Sequence, residues 1–155
     1  MIEQRRQTRK LRGFTLIEVL VSVVIFSVGL LGLAGLQATG LKLNQSSMLR
    51  SHATLLAYDV LDSMRANKGA IADYALEFDD AAYGAPANQA ERDINNWLNG
   101  PGGQSGLIGL LPQGDGSIVI VIDAITGRVR ATITVRWDDS RGAEDLKTLT
   151  LVSDI

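Results

Sequence analysis

The sequence predicts an α+β protein in which a long N-terminal helix packs on a small antiparallel sheet of three to four strands. Three observations predict it: residues 16–38 form an apolar run, residues 49–64 repeat apolar side chains at helical spacing, and residues 117–152 contain three segments of β type. The chain of 155 residues is long enough for one domain with a core of ordinary size.

From Leu16 to Ala38 every residue is apolar or small except Glu18 and Gln37. Its 23 residues could cross a hydrocarbon layer of about 30 Å as a helix. No proline occurs before Pro86, so we expect one nearly continuous helix over 14–66, with its end near 67–69.

Four glycines weaken this helix over a short stretch, at positions 29, 32, 35 and 40. Each costs about 1 kcal/mol relative to alanine in a helix. They also provide a surface of small residues for close helix packing. Local loosening and close packing fit the four glycines equally well.

The second half of the helix is amphipathic. Its apolar residues at helical spacing should face the rest of the domain; they are Leu49, Ala53, Leu56, Val60 and Met64. Leu55 and Tyr58 fall on the opposite side, where they either meet neighbouring helices or are simply exposed.

The remainder divides into an irregular part and a sheet. Residues 67–116 lack a clear period, apart from a short helix at 90–99 that presents Ile94, Trp97 and Leu98. Strands are predicted at 117–123, 128–137 and 147–152, the last with Leu149 and Leu151 inward. The second strand alternates, with one face formed by Val129, Ala131, Ile133, Val135 and Trp137. A fourth strand could come from the irregular part, at no position that the pattern identifies.

Charge is distributed unevenly along the chain. The net charge is −2, but residues 1–13 are basic through Arg5, Arg6, Arg9, Lys10 and Arg12. A basic segment directly before an apolar run favours a targeting or orienting tail over a nucleic-acid-binding arm, and no nucleic-acid binding is predicted. The chain has no cysteine, which excludes disulfide and thiolate chemistry.

Three interpretations of the apolar run remain at this point. A cleaved secretory signal, cut after Ala34, would have an unusually long apolar region containing an acid. A plain signal anchor explains the basic flank but leaves Glu18 unexplained, although a carboxylate inside a membrane helix costs about 2.5–3.5 kcal/mol at its centre. The third interpretation comes from the junction Gly13-Phe14, followed by "TLIEV".

This junction resembles the prepilin signal of type IV pilins and related proteins: a short basic leader ending in glycine, an aromatic residue, a glutamate at the fifth mature position, and about twenty apolar residues. The resemblance implies cleavage between Gly13 and Phe14 by a prepilin peptidase, which also methylates the Phe14 amine. It then divides the chain into a leader at 1–13, a transmembrane and polymerisation helix at 14–38, and a periplasmic pilin domain at 39–155.

The resemblance also implies a role for Glu18. In the family this glutamate is thought to attract the terminal amine of an adjoining subunit, and opposite charges gain far more from pairing in lipid than in water. Glu18 would then set the axial register of assembly. The alternative is an acid that reaches the membrane interface without any partner.

A narrower similarity is to minor pilins of the PilV type, through "GLLGLAGLQ", "NQSSMLRSHATLLAYDVLDSMRANK", "VRWDD" and "LTLVSDI". It implies an inner-membrane priming complex that starts pilus growth, ends at the pilus tip and supports adhesion and twitching motility. The implied partners are other minor pilins, the major pilin, a tip adhesin and inner-membrane lipid. A minor pseudopilin of a type II secretion system is the alternative, and a membrane-anchored binding domain that never polymerises is a third possibility.

No enzymatic constellation is found, and no cofactor or metal is expected. His52 has no partner motif and is interpreted as a surface or subunit-contact residue. The acidic loop at 138–145 carries Asp138, Asp139, Glu144 and Asp145, which matches no EF-hand, so a solvated loop is favoured over a calcium site. "QGDGS" lacks the lysine of a phosphate-binding loop.

Overall fold

A computed structural model describes residues 13–100, 106–140, 142 and 145–155. The elements in chain order are α1 (Leu16–Ala66), a 3₁₀ helix (Lys68–Tyr74), α2 (Gln89–Asn99), α3 (Leu107–Leu110), β1 (Asp115–Ile122), β2 (Val129–Trp137) and β3 (Lys147–Asp154). The contacts separate two units, Met1–Lys42 and Leu43–Ile155. The predicted α+β arrangement of a long N-terminal helix and a small antiparallel sheet is confirmed.

Helix α1 supplies one wall of the core through its second half. All five residues of the predicted stripe are buried, and Ala57 and Leu61 join them. Leu55 and Tyr58 are exposed, as expected for the opposite face. The helix ends at Ala66 and the chain continues into the 3₁₀ helix, so the predicted end is also correct.

The sheet is an antiparallel meander with strand order β1-β2-β3. Ile118 of β1 pairs with Ile133 of β2, which pairs in turn with Leu151 of β3. The alternation predicted for β2 is confirmed, because Ala131, Ile133, Val135 and Trp137 are all buried. Leu149 and Leu151 are only partly buried but do pack on the core. Within the described residues the sheet has three strands.

The segment between α1 and the sheet is more ordered than the sequence predicted. It contains the 3₁₀ helix and α3 in addition to the predicted helix α2, and Ile94, Trp97 and Leu98 of α2 are buried. Leu76 forms an isolated antiparallel bridge with Ile118 of β1. Residues 101–105, between α2 and α3, lie outside the described part.

Trp97 joins α2 to both α1 and β1. Its Nε1 donates a hydrogen bond of 2.9 Å to the Leu56 carbonyl oxygen. Its ring also fills the space beside Gly116, where an added Cβ would lie 2.4 Å from Trp97 Cη2 and 2.9 Å from Leu107 Cδ1. The absence of a side chain at 116 therefore allows the indole to pack against the start of β1.

The acidic loop after β2 differs from its prediction. Asp138 is buried rather than solvated, and its Oδ1 accepts hydrogen bonds from the backbone N–H and the hydroxyl of Ser140. Asp139 Oδ2 accepts a hydrogen bond of 2.7 Å from Ser46 Oγ on α1. These carboxylates position the loop against the domain; Glu144 lies outside the described residues.

Tyr74 connects the 3₁₀ helix to α2 inside the core. Its side chain is fully buried, and its hydroxyl donates a hydrogen bond to Asp93 Oδ2. Burial, together with the Asp93 hydrogen bond and negative charge, raises the pKa of Tyr74 to about 12. The fold therefore favours the neutral phenol, whereas a tyrosine in the unfolded chain ionises near about pH 10.

We expect the protein to lose stability as the pH rises from about 10 to 12, because only the unfolded state ionises its residue 74 over that range. Tyr74→Phe should remove about 2 kcal/mol of this alkaline dependence. The free energy of unfolding is measured by urea titration at several pH values between about 10 and 12. The proteins compared are wild type, Tyr74→Phe and the exposed control Tyr58→Phe. Equal pH dependence in all three proteins would contradict the assignment to Tyr74.

Candidate functional site

Helix α1 begins with a side-chain cap at Thr15. The backbone N–H of Glu18 lies 3.1 Å from the Thr15 carbonyl oxygen and 3.3 Å from Thr15 Oγ1. A threonine that precedes the first helical residue satisfies one of the N–H groups left free at a helix N-terminus. Thr-x-x-Glu is the sequence signature of such a cap, and it was not used in the prediction. The cap places Glu18 in the first turn of α1.

The three predicted site residues lie together at this end of the chain. Gly13 and Phe14 precede α1 in non-helical conformation, and Glu18 follows within one turn. Phe14 is 82% exposed, and an added Cβ at Gly13 would meet no atom within 4 Å. The Gly13–Phe14 peptide bond is thus accessible in the described part of the chain.

Glu18 lies in a shallow recess along one side of α1. The recess has a volume of about 500 Å³ and is lined by Phe14, Glu18, Val19, Ser22, Val23 and Phe26. The Ser22 hydroxyl is not directed to the carboxylate, since it donates to the Glu18 carbonyl oxygen at 2.7 Å. Apart from Ser22, the residues around the Glu18 carboxylate are apolar. Among the described residues, Glu18 is the only charged one that lines the recess, so a cationic group of another molecule would find one negative charge there.

The electrostatics of a helix N-terminus favour the acid and disfavour a cation. The free N–H groups of the first turn carry a partial positive charge, which stabilises Glu18 and repels an amine at residue 14. If the chain were cut before Phe14, the new amine would sit beside this positive end. Because its own helix end repels it, that amine would pair favourably with an anion on another molecule.

His52 lies on α1, far along the chain from this recess. Its side chain is half-buried, and its Nδ1 is buried without a hydrogen-bond partner among the described residues. The described residues also contain no group of three or more His, Cys, Asp or Glu side chains placed to hold a metal ion. These observations leave the start of α1 as the candidate site.

A family model of the prokaryotic N-terminal methylation motif matches residues 8–34. The match covers the end of the basic segment, the Gly13–Phe14 junction, Glu18 and most of the apolar run. The motif indicates a type IV pilin or pseudopilin. It spans under a fifth of the chain, and the rest of the sequence is outside it. Neither the curated proteins nor the solved structures give a match to this chain.

The motif carries several general consequences for a pilin-like chain. It implies processing by a prepilin peptidase and assembly with other pilins, and the proteins that contain it are structural subunits. Within the described residues, α1 is the one helix whose length and composition would let it cross a bilayer. Motif and helix together fit membrane anchoring.

Proposed function

We propose that this protein is a minor pilin of the PilV type, which joins the inner-membrane priming complex of a type IV pilus and ends at or near the pilus tip. The arrangement at the start of α1 carries the pilin-like part of the proposal: an accessible Gly13–Phe14 bond, a capped first turn that holds Glu18, and an exposed apolar helix behind it. The assignment to the PilV type is supported by the similarity of "VRWDD" and "LTLVSDI" near the end of the chain. The methylation motif covers the same residues.

Leader processing is the first step of this function. Prepilin peptidase cuts after Gly13 and methylates the amine of Phe14, while residues 14–38 remain in the inner membrane. The basic residues of 1–13 stay on the cytoplasmic side by the positive-inside rule, and residues 39–155 lie in the periplasm. The high exposure of the first half of α1 supports a lipid environment for it, since none of its most apolar window is buried within the protein.

Assembly is the second step, and Glu18 sets its register. The Phe14 amine of one subunit and the Glu18 carboxylate of the next are each unpaired in lipid until they meet. A pairing shifted along the helix leaves both charges unpaired, which costs several kcal/mol. Lipid around this exposed part of α1 keeps water away from the pair and strengthens the attraction.

The folded unit from Leu43 onward provides the surfaces that distinguish one minor pilin from another. It offers the outer face of the sheet and the segment that contains α2 to other minor pilins, to the major pilin and to a tip adhesin. Adhesion and twitching motility follow from the pilus that this complex starts. The alternative assignment, a minor pseudopilin of a type II secretion system, uses the same leader and helix.

Glu18→Ala should leave membrane insertion and leader cleavage intact but lower incorporation into pili by at least about tenfold, because the incoming amine then has no partner in lipid. The ratio of the protein in sheared pili to that in membranes measures the effect, and the intact mass reports cleavage. Ser22→Ala is the matched control, since the Ser22 hydroxyl bonds only to its own helix.

Incorporation of Glu18→Ala at the wild-type ratio would contradict the register role. The same cells separate the two assignments: recovery in surface pili together with other minor pilins supports the pilus, whereas recovery only with secretion-system components supports the pseudopilin. A protein that retains Met1 and never enters a polymer would be a membrane-anchored binding domain instead.

A further inference from the structure

Strand β1 lies at an edge of the sheet, and only its first half is covered. Leu76 and Ile118 exchange two backbone hydrogen bonds, 3.0 Å from Leu76 N to Ile118 O and 2.8 Å from Ile118 N to Leu76 O. The segment that follows Leu76 is held in place by Arg136, which donates to Asp79 and Asp115 at 2.6 Å each. This contact covers the edge up to Ile118.

The second half of β1 presents free backbone groups in the direction away from β2. In an antiparallel strand, alternate residues direct both backbone polar groups to opposite sides. Ile118 points away from β2, toward Leu76, whereas Asp123 N donates 2.9 Å to Arg128 O within the hairpin. Ile120 and Ile122 therefore point outward like Ile118, and no described residue bonds their N–H or C=O groups.

The side chains at this open edge do not protect it. Residues 119–122 contain no charge and no proline, the devices that usually prevent a strand edge from pairing with another chain. Val119, Val121 and Ile122 are each about half exposed, and Ile125 at the hairpin tip is 96% exposed. An uncovered apolar edge of this kind is a template for an added strand.

A recess beside the open edge carries an available positive charge. It has a volume of about 420 Å³ on the outer face of the sheet and is lined by Val121, Asp123, Thr126, Arg128, Arg130 and Asp154. Both acids are engaged: Asp123 Oδ1 accepts from the N–H groups of Ile125 and Thr126, and Asp154 pairs with Arg130 at 2.9 Å.

The guanidinium of Arg128 makes no direct hydrogen bond or ion pair within the described residues; its charge acts on Asp154 only at longer range, where after Arg130 it helps to lower the pKa of that carboxyl. The recess is thus complementary to a carboxylate that reaches past Val121. A second copy that paired through its own β1 edge would bring only Asp123, because residues 119–122 are uncharged, and one that paired through its β3 edge would bring Asp154, which already pairs with Arg130. The Asp123 carboxylate already closes its own turn, so charge favours a different protein as the occupant.

We propose that the open edge of β1, from Val119 to Ile122, is a strand-addition site for an extended, apolar segment of a partner protein that carries an acidic residue. Its backbone pairs with Ile120 and Ile122, and its carboxylate binds Arg128. This inference is independent of the proposed function, because it is argued only from the β1 edge and Arg128. Its test measures peptide binding, whereas the proposed function is tested by leader cleavage and pilus incorporation.

The test uses the full chain in detergent micelles and a short synthetic peptide of alternating valine and threonine with one central glutamate. A second peptide has lysine in place of the glutamate. We expect the glutamate peptide to bind and to slow amide hydrogen exchange at Ile120 and Ile122 by at least about tenfold. The lysine peptide should bind at least about tenfold more weakly, because Arg128 repels it.

Two pairs of variants separate backbone pairing from charge. Ile122→Pro removes an outward N–H that no hydrogen bond to β2 uses, so it should abolish binding, whereas Ile122→Thr keeps the N–H and should bind. Arg128→Gln should weaken the glutamate peptide about five- to tenfold, and Arg92→Gln on exposed α2 should leave its affinity unchanged. Unchanged exchange at Ile133 in each variant verifies the fold.

Several results would overturn the inference. These are no binding of the glutamate peptide up to about 1 mM, equal binding to Ile122→Pro and Ile122→Thr, or equal affinity for the two peptides. Self-association of the wild-type chain that Ile122→Pro removes would show that a second copy, not a different partner, occupies the edge.

Discussion

Gly13→Val should reach the membrane with its leader attached. The peptidase of the pilin family cuts after a glycine, and a β-branched side chain at that position narrows the backbone conformations that can enter its active site. The chain itself has room for the change, since a Cβ at Gly13 meets no atom within 4 Å. The expected loss therefore concerns recognition by the peptidase and leaves folding intact.

Intact-mass measurement of the membrane-extracted protein distinguishes the two states. Wild type should begin at a methylated Phe14, and Gly13→Val should begin at the start of the leader, with cleavage lowered by at least about tenfold. Gly32→Ala is the matched control, because a Cβ at Gly32 also meets no atom within 4 Å but lies inside α1. Wild-type cleavage of Gly13→Val would show that the cut is elsewhere.

Trp97→Ala should cost about 3–5 kcal/mol of folding stability. The side chain is 2% exposed, it occupies the space beside Gly116, and its Nε1 bonds to the Leu56 carbonyl oxygen of α1. Its removal leaves a cavity at the point where α1, α2 and β1 meet, and the surrounding structure can fill such a cavity only in part.

Urea unfolding of the full chain in detergent, followed by circular dichroism, measures this loss. Leu55→Ala on α1 is the control, because Leu55 is 67% exposed and its truncation should change the free energy of unfolding by less than about 0.5 kcal/mol. Equal midpoints for Trp97→Ala and Leu55→Ala would mean that Trp97 does not join these elements.

The periodic parts of this fold were predictable because a single physical rule fixes each of them. Spacing of four and three residues placed Leu49 and Met64 on one buried face of α1, and alternation placed Ile133 and Val135 on one buried face of β2. In both cases burial of apolar surface decides the structure, and the sequence displays that surface directly.

The parts that were not predicted depend on single contacts between particular residues and not on a repeating pattern. The 3₁₀ helix is connected to α2 by Tyr74, whose hydroxyl donates a hydrogen bond to Asp93. A pair of this kind has no periodic pattern in the sequence from which it could be predicted. Asp138 is buried with its Oδ1 accepting from the backbone N–H and the hydroxyl of Ser140, and such bonds offset the usual preference of an acid for solvent. The Leu76–Ile118 bridge rests on one residue pair, so it has no pattern at all.

The candidate site was easier to predict than its geometry. The resemblance to the prepilin signal points to Gly13, Phe14 and Glu18, whose roles stay predictions, whereas the recess formed with Ser22 and Phe26 depends on the helical conformation of α1. The open half of the β1 edge could not be predicted either, because it begins where the bridge between Leu76 and Ile118 ends.

The crowding around Gly116 separates the glycines of this chain by the freedom they leave to evolution. A methyl group at 116 would lie within 2.4 Å of the Trp97 ring, whereas one at Gly29 or Gly35 would touch nothing within 4 Å. Within a single chain, alanine at either helix position therefore meets no steric obstacle. A side chain at position 116 needs space now filled by Trp97 and Leu107, so we expect substitutions there to occur together with a smaller residue at position 97.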